Sequence, residues 1–525
     1  MALGNSLKTI ILYLLYIPYI LVELVNLIPF IFRLRFPLSE IPGPRTASWT
    51  RFWWVKTLYH KKTAHEMVRL DKEYGPIVRI SPNSILVSDP ETTRKVLGVG
   101  SIFARGPWFD SLRLDPYTTN VVSERNSKKH QQMRSILSAG LSGKDTDLEL
   151  IIKKHVSRWI GILDNKYTSA NDRHVTVDLS KGLTFLTLDI ITELCLGEPF
   201  YCLDKTTDPY GFLEALQTGV ITQQYISVLL ELKDFLFFLG RFDFIRSRIF
   251  PNKNDETGIG RVMGTIHNIV ERRLNGIGEK ANLKQDMLNS FLSKGLTLDQ
   301  ASSELVVVLT SGVVSTSYAA QSIISCMTAN PQACCKLQNE IDSTVAHENT
   351  GQDSSIKDCT LSKMPYLQAC IAEGLRICPP ISLLREHEVP SPGVILHGYR
   401  IPGGTFIGFN TIATQLQSVY GDHPEEFRPE RWLIDDEAQL KQMHRNLELV
   451  FGYSASKCLG INIANMELNR FIFEVFRNYK ITFANPESPW KACSDLLPSD
   501  LQVKIERREI HIQTNGIQIN GIHSP

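Results

Sequence analysis

Between Glu124 and the region of residue 390 the sequence presents one helix-compatible window after another: SKKHQQMRSILSAGL, LELIIKKHVSRWIGILDNKY, SELVVVLTSGVVSTSYAAQSIISCMTA and MPYLQACIAEGLRICPP. The last must end at Pro379-Pro380, where the backbone loses its amide donors. On either side the pattern changes. PIVRISPNSILVSDP reads as short strands broken at Ser81-Pro82-Asn83 and at Asp89-Pro90, and GVILHGYRIPGGTFIGFN returns to strands and glycine-rich turns. The expectation is a mainly α body with small β-sheets, an α+β fold. A parallel nucleotide-binding sheet needs a glycine-rich strand-to-helix turn within repeated βα units, and none is present. There is also no GxxxxGK[ST] phosphate loop, no paired-histidine zinc helix and no internal repeat.

The chain has 525 residues, 43% hydrophobic and 21% charged, enough to bury a large core. Its 56 basic and 55 acidic residues leave a net charge of +1, which makes no case for a nucleic-acid surface. The ten cysteines, among them the adjacent Cys334 and Cys335, lack the paired spacing of a zinc ribbon. They read as thiols of a reducing, cytosol-facing compartment rather than a disulfide framework.

Near the start, TIILYLLYIPYILVELVNLIPFIF, Thr9 to Phe32, is long and apolar enough for a helix to cross a bilayer. Glu23, Asn26, Pro18 and Pro29 favour a tilted or kinked anchor. Lys8 precedes it and Arg33, Arg35 and Arg45 follow, a bias that leaves the body in the cytosol. The expected organisation is an anchor over 1–35, a proline-rich hinge over 36–48 containing Pro42-Gly43-Pro44, a body over 49–512 and a tail over 513–525. The tail carries two Asn-Gly steps that suit a hairpin, although a frayed terminus is the simpler expectation.

The run FGYSASKCLG, Phe451 to Gly460, places a cysteine in a turn just before the helix-compatible INIANMELNRFIFEVFRN. Cys458 is either a buried structural thiol or a soft metal ligand. Gly460 would let a flat ligand approach the backbone, and Phe451 could shield the sulfur. A second constellation is EGLR, in which Glu373 and Arg376 share one side of a helix. FRPERW supplies a further arginine, Arg431, so that a buried network competes with an ordinary surface salt bridge.

Together these runs resemble the cytochrome P450 family, haem-thiolate monooxygenases of the membrane-anchored eukaryotic type. Within it the chain is similar to fungal members of secondary metabolism. The resemblance spans essentially the whole chain and implies haem b with Cys458 as its axial ligand, in a run opened by Phe451 and closed by Gly460. It implies that Glu373, Arg376 and Arg431 brace the core without taking part in the chemistry. HQQMR resembles the segment that meets the haem propionates, which points to His130 and Arg134, and Arg385 resembles the strand arginine that meets a propionate from another side.

In TSGVVSTSYAAQ, matching Gly312 to the family's glycine puts Val314 where an acid is expected and Ser315 where a threonine is expected. Ser315 is then the catalytic hydroxyl, and Val314 cannot relay protons. Ser454 and Ser456 stand where the family has a glycine and often a base. The resemblance implies an NADPH-dependent flavoprotein reductase as electron donor, a lipophilic small-molecule substrate, and an endoplasmic reticulum membrane location with a single span. Residues 104–122, Val308 to Val314 and PPISLL are expected to line the substrate cavity. A haem-thiolate isomerase or dehydratase, and a non-catalytic scaffold of the same fold, stay open.

Overall fold

The computed structural model describes residues 38–142, 147–168, 175–276, 286–348, 356–487 and 501–508, with two short strands of the tail. The apolar stretch Thr9–Phe32 lies outside the described residues. The chain divides into two compact units.

The first unit is drawn from Met1–Ser127, Ile221–Pro251 and Leu384–Asn410. Ile77–Ser81 and Ser84–Val87 pair antiparallel across the expected break, with Ile77 opposite Val87. Ser84–Val87 then pairs in parallel with Phe406–Phe409, which pairs antiparallel with His387–Glu388, and that strand with Ala104–Arg105. Asp89 does more than end a strand: its carboxylate accepts the amide of Thr92 and caps the helix Pro90–Leu97. Pro90 occupies the first turn, where a missing N–H costs nothing. The proline hinge is held against the sheet, because Arg79 donates its amide to Pro42 at 2.8 Å and its guanidinium to Leu38 at 3.1 Å. Buried Lys233, on the helix Leu230–Leu239, donates to the Pro107 carbonyl at 3.2 Å and faces Asp110 at 3.5 Å. It thereby fixes the expected lining segment around Trp108 to that helix.

The second unit, drawn from Lys128–Val220, Asn252–Leu383 and Thr411–Pro525, is the helical body. Its main helices are α1 (Ser127–Leu141), α2 (Leu148–Tyr167), α3 (Leu179–Leu196), α4 (Leu298–Thr328), α5 (Pro331–His347), α6 (Pro365–Ile377) and α7 (Ile461–Asn478). α1, α2 and α7 match their sequence windows, and α6 stops ahead of Pro379-Pro380 as expected. α4 starts earlier than its window because Thr297 and Gln300 form a reciprocal capping box. Among the described residues α4 alone is long and apolar enough to cross a membrane, yet 67% of its apolar window is buried, so it is the core helix of this unit.

α4 packs against α3, α6 and α7. At Gly374 of α6 a Cβ would come within 2.4 Å of Ile323, so the glycine sets how closely α6 approaches α4. A three-stranded sheet places Gln502–Arg507 between Thr176–Asp178 and Tyr479–Phe483. In the tail, Gln513 and Thr514 pair antiparallel with Gln518 and Ile517, a hairpin pairing rather than the frayed end expected there.

Candidate active site

The turn before α7 is built from a chain of short-range hydrogen bonds. Gly452 donates to Leu449 at 3.1 Å, Ser456 to Tyr453 at 2.9 Å, Lys457 to Ser454 at 3.1 Å and Cys458 to Phe451 at 2.7 Å. Phe451 therefore reaches the cysteine through its backbone carbonyl. Gly460 is the N-cap of α7 with φ of −90°, an ordinary conformation, and a Cβ there would meet nothing within 4 Å. Space on its outer side, not strain, is what the turn offers at that position. Cys458 is exposed, while the atoms crowding its sulfur push the thiol pKa up. The Gly460 amide and the nearby Arg134 charge pull it the other way.

Two residues of this turn lie in left-handed backbone space: Gly452 at φ 79° and Ser454 at φ 52°. Serine at 454, where the family resemblance leads one to expect glycine, is thus a strained residue. An L-residue in this region costs ~1–2 kcal/mol, offset in part by the ~0.5–1 kcal/mol of entropy that glycine loses. Ser454→Gly is expected to stabilise the protein by about 1 kcal/mol. Thermal unfolding checks it, and a midpoint that stays put or falls would mean the turn is not strained there.

His130 and Arg134 sit four residues apart on one face of α1. His130 is buried. Arg134 donates from Nη2 to the carbonyl of Lys457 at 2.6 Å, which ties α1 to the residue before the cysteine. Burial lowers the pKa of its guanidinium, and Cys458 raises it.

The structure brings Glu373, Arg376 and Arg431 together in the core. Glu373 and Arg376 are 0% exposed and Arg431 is 3% exposed. Arg376 donates to both carboxylate oxygens of Glu373 at 2.8 Å, Arg431 Nε to one of them at 2.8 Å, and the Trp432 indole and Arg428 amide each at 2.8 Å. The guanidiniums spend their remaining donors on carbonyls: Arg376 on Gln415, Pro424 and Glu426, and Arg431 on Tyr420, His423 and Glu426. Ala369, Tyr420, Trp432 and Met443 pack beside them as one apolar cluster.

On α4 the burial pattern opens in mid-helix. Val307, Val308, Ser311, Val314 and Ser315 are left partly or fully uncovered, while the turns on either side are buried. Their spacing defines one open stripe on a core helix. The Ser315 hydroxyl donates back to the Ser311 carbonyl at 2.8 Å. The next residue, Thr316, hydrogen-bonds Glu467 of α7, a buried carboxyl whose pKa is pushed up to about 8 by burial. Sequence reasoning passed over Glu467, because a single acid in an apolar helix reads as surface until its neighbour is known. Gln321, two turns beyond Val314, is fully buried with neither end of its amide hydrogen-bonded to protein.

Arg385 belongs to the first unit, two residues before the strand His387–Glu388. Its φ of 47° is left-handed, and its carbonyl lies 2.9 Å from the His387 ring nitrogen. Burial draws its guanidinium pKa down to about 10. The second unit thus joins Phe451 to Cys458, Arg134 to Lys457, and Glu373 to Arg376 and Arg431, while Arg385 is placed by a different sheet.

A family model described as Cytochrome P450 matches residues 42–505. The chain is 33% identical over 487 residues to the cytochrome P450 monooxygenase aba1 of Botryotinia fuckeliana, covering 90% of this chain and 92% of that one. It is 32% identical over 487 residues to the cytochrome P450 monooxygenase ABA1 of Pyricularia oryzae, covering 90% and 93%. At 26% identity over 497 residues it is similar to the cytochrome P450 monooxygenase cicH of Emericella nidulans, covering 91% and 96%. A helical body around α4, a cysteine turn opening α7 and full-length similarity to monooxygenases agree, and the chain belongs to the cytochrome P450 family of haem-thiolate oxidoreductases.

Proposed function

We propose that the chain is a monooxygenase that holds haem b through Cys458 and oxidises a lipophilic small molecule in fungal secondary metabolism. Electrons come from an NADPH-dependent flavoprotein reductase, and Thr9–Phe32 anchors the body to the endoplasmic reticulum membrane with its catalytic part in the cytosol. The observation that carries this reading is the turn at Cys458, an exposed residue whose amide is tied to Phe451 and which lies two positions before the open side of Gly460.

The residues present fit a haem. A soft thiol is set beside the Arg134 charge, and the desolvated Arg385 guanidinium suits a carboxylate such as a propionate. When bound, thiolate-ligated haem supplies the activation of dioxygen for insertion into a C–H bond.

The chain's own residues do the rest. Cys458 would hold the group as its thiolate ligand, and His130, Arg134 and Arg385 would pair with its carboxylates. The valines of the α4 stripe present an apolar wall that favours lipophilic substrate over water. Ser315 would hold a water or offer its hydroxyl in the cavity. With Val314 unable to relay protons, Glu467, kept neutral by burial and bonded to Thr316, is the nearby carboxyl that can hold one.

The test is the reduced carbon-monoxide difference spectrum of the membrane-expressed chain. A band at about 450 nm that disappears in Cys458→Ser is the expected result for thiolate-ligated haem. A chain that holds no haem, or holds it without that band, would turn the reading toward a non-catalytic scaffold. The apolar Val314 and the back-bonded Ser315 favour one second reading, an isomerase or dehydratase without external electrons. Product formation that proceeds without reductase would select it.

A further inference from the structure

We propose that Arg134 is a positioning residue for the thiolate, clamping the Lys457–Cys458 peptide in place of the basic side chain that position 456 lacks. The inference rests on Cys458 being the haem ligand. The peptide unit between Lys457 and Cys458 is held at both ends. Its carbonyl accepts the Arg134 guanidinium at 2.6 Å, and its amide donates to Phe451 at 2.7 Å. A cation on the carbonyl polarises the peptide and strengthens the bond its amide makes on the other side. With that plane fixed, the direction in which Cys458 leaves the backbone is fixed too.

The turn itself holds only the amide end of that peptide, through Phe451, and among the described residues shows no bond of its own to the carbonyl end. Ser454, Ala455 and Ser456 carry no charge, and Ser454 is in left-handed space. Because Arg134 projects from α1, the clamp couples the ligand loop to a helix outside its own turn.

The experiment compares wild-type, Arg134→Gln, Arg134→Lys and Arg134→Gln/Ser456→Arg chains, each purified with haem. Two quantities are read per haem bound: the ferrous carbon-monoxide absorbance near 420 nm relative to that near about 450 nm, and the reduction potential. Loss of a charge-assisted hydrogen bond is expected to raise the 420-to-450 ratio about tenfold in Arg134→Gln and to lower the potential. Arg134→Lys keeps the charge and restores the potential, and Ser456→Arg brings the ratio back toward wild type.

If Arg134→Gln merely binds less haem, with ratio and potential of the remaining holoprotein unchanged, Arg134 acts as a carboxylate partner alone and the proposal falls. Should Arg134→Gln hold no haem, the Arg134→Lys chain decides. A raised ratio at wild-type potential supports the clamp, and an unchanged ratio overturns it. Absence of the band near about 450 nm in the wild-type chain would instead remove the haem-thiolate reading itself.

Discussion

Glu373→Gln is expected to destabilise the protein by about 3–5 kcal/mol, enough to remove most of the margin that keeps a domain folded. The change is nearly isosteric, so packing alone predicts little effect. The electrostatics predict otherwise. Glu373 is the carboxylate facing Arg376 and Arg431, both buried, and an amide there leaves two guanidiniums without their counter-charge and turns an NH2 toward their donors.

Buried ion pairs can often be exchanged for apolar residues at no loss. Here that escape is closed, because Arg376 and Arg431 also satisfy backbone carbonyls at Gln415, Tyr420, His423, Pro424 and Glu426. Replacing all three by Leu or Met orphans those carbonyls, so the triple variant is expected to fare no better than the single one. Thermal unfolding and haem content of the detergent-solubilised chain measure this. A Glu373→Gln protein with a wild-type midpoint would show that the network is not what holds this region.

How much of this was legible beforehand depended on the range of the interaction. α1, α2 and α7 could be placed from sequence because a helix is a local object, and α6 because Pro379 and Pro380 end it chemically. The Glu373 network was legible as a pair in one helix plus an arginine in a proline-bounded run, though its carbonyl partners were not. Local patterns do not announce which distant segment closes a sheet. Thr176–Asp178 sat unnoticed inside a helical region because its partner is Gln502–Arg507.

The earlier start of α4 was missed because the Thr297–Gln300 capping box lies in polar sequence ahead of the apolar window. The helices Phe52–Tyr59, Thr63–Tyr74 and Glu437–Leu447 were also not read from the sequence, although in the second Ala64, Met67 and Leu70 are buried at helical spacing. At the site, it was the family resemblance that pointed to Cys458, Ser315 and the arginines. The bond from Arg134 to Lys457 and the Glu467–Thr316 pair required knowing which helices face each other.

The cysteine turn also conceals a requirement that residue identity alone understated. Gly460 is the glycine that attracts attention beside Cys458, yet its backbone is ordinary and a Cβ there meets nothing. Gly452 carries the constraint. With φ 79° and ψ −178° it occupies a region open essentially to glycine alone, and an added Cβ would lie 2.3 Å from the Ser456 carbonyl oxygen.

That oxygen belongs to the backbone of the turn itself, so no side chain can swing aside to relieve the clash. Gly452→Ala therefore adds backbone strain of ~1–3 kcal/mol to a steric conflict that must displace residues 456 and 457. The total is expected to reach about 3 kcal/mol or more. Displacing Lys457 also pulls its carbonyl from Arg134 and the Cys458 amide from Phe451. The loss should thus appear first in haem retention and in the band near about 450 nm, ahead of any change in helix content. Gly460→Ala serves as the comparison, since its Cβ meets no protein atom: it is expected to leave unfolding unchanged while lowering haem occupancy. If Gly452→Ala holds haem as the wild type does, the turn is far more pliable than its geometry implies.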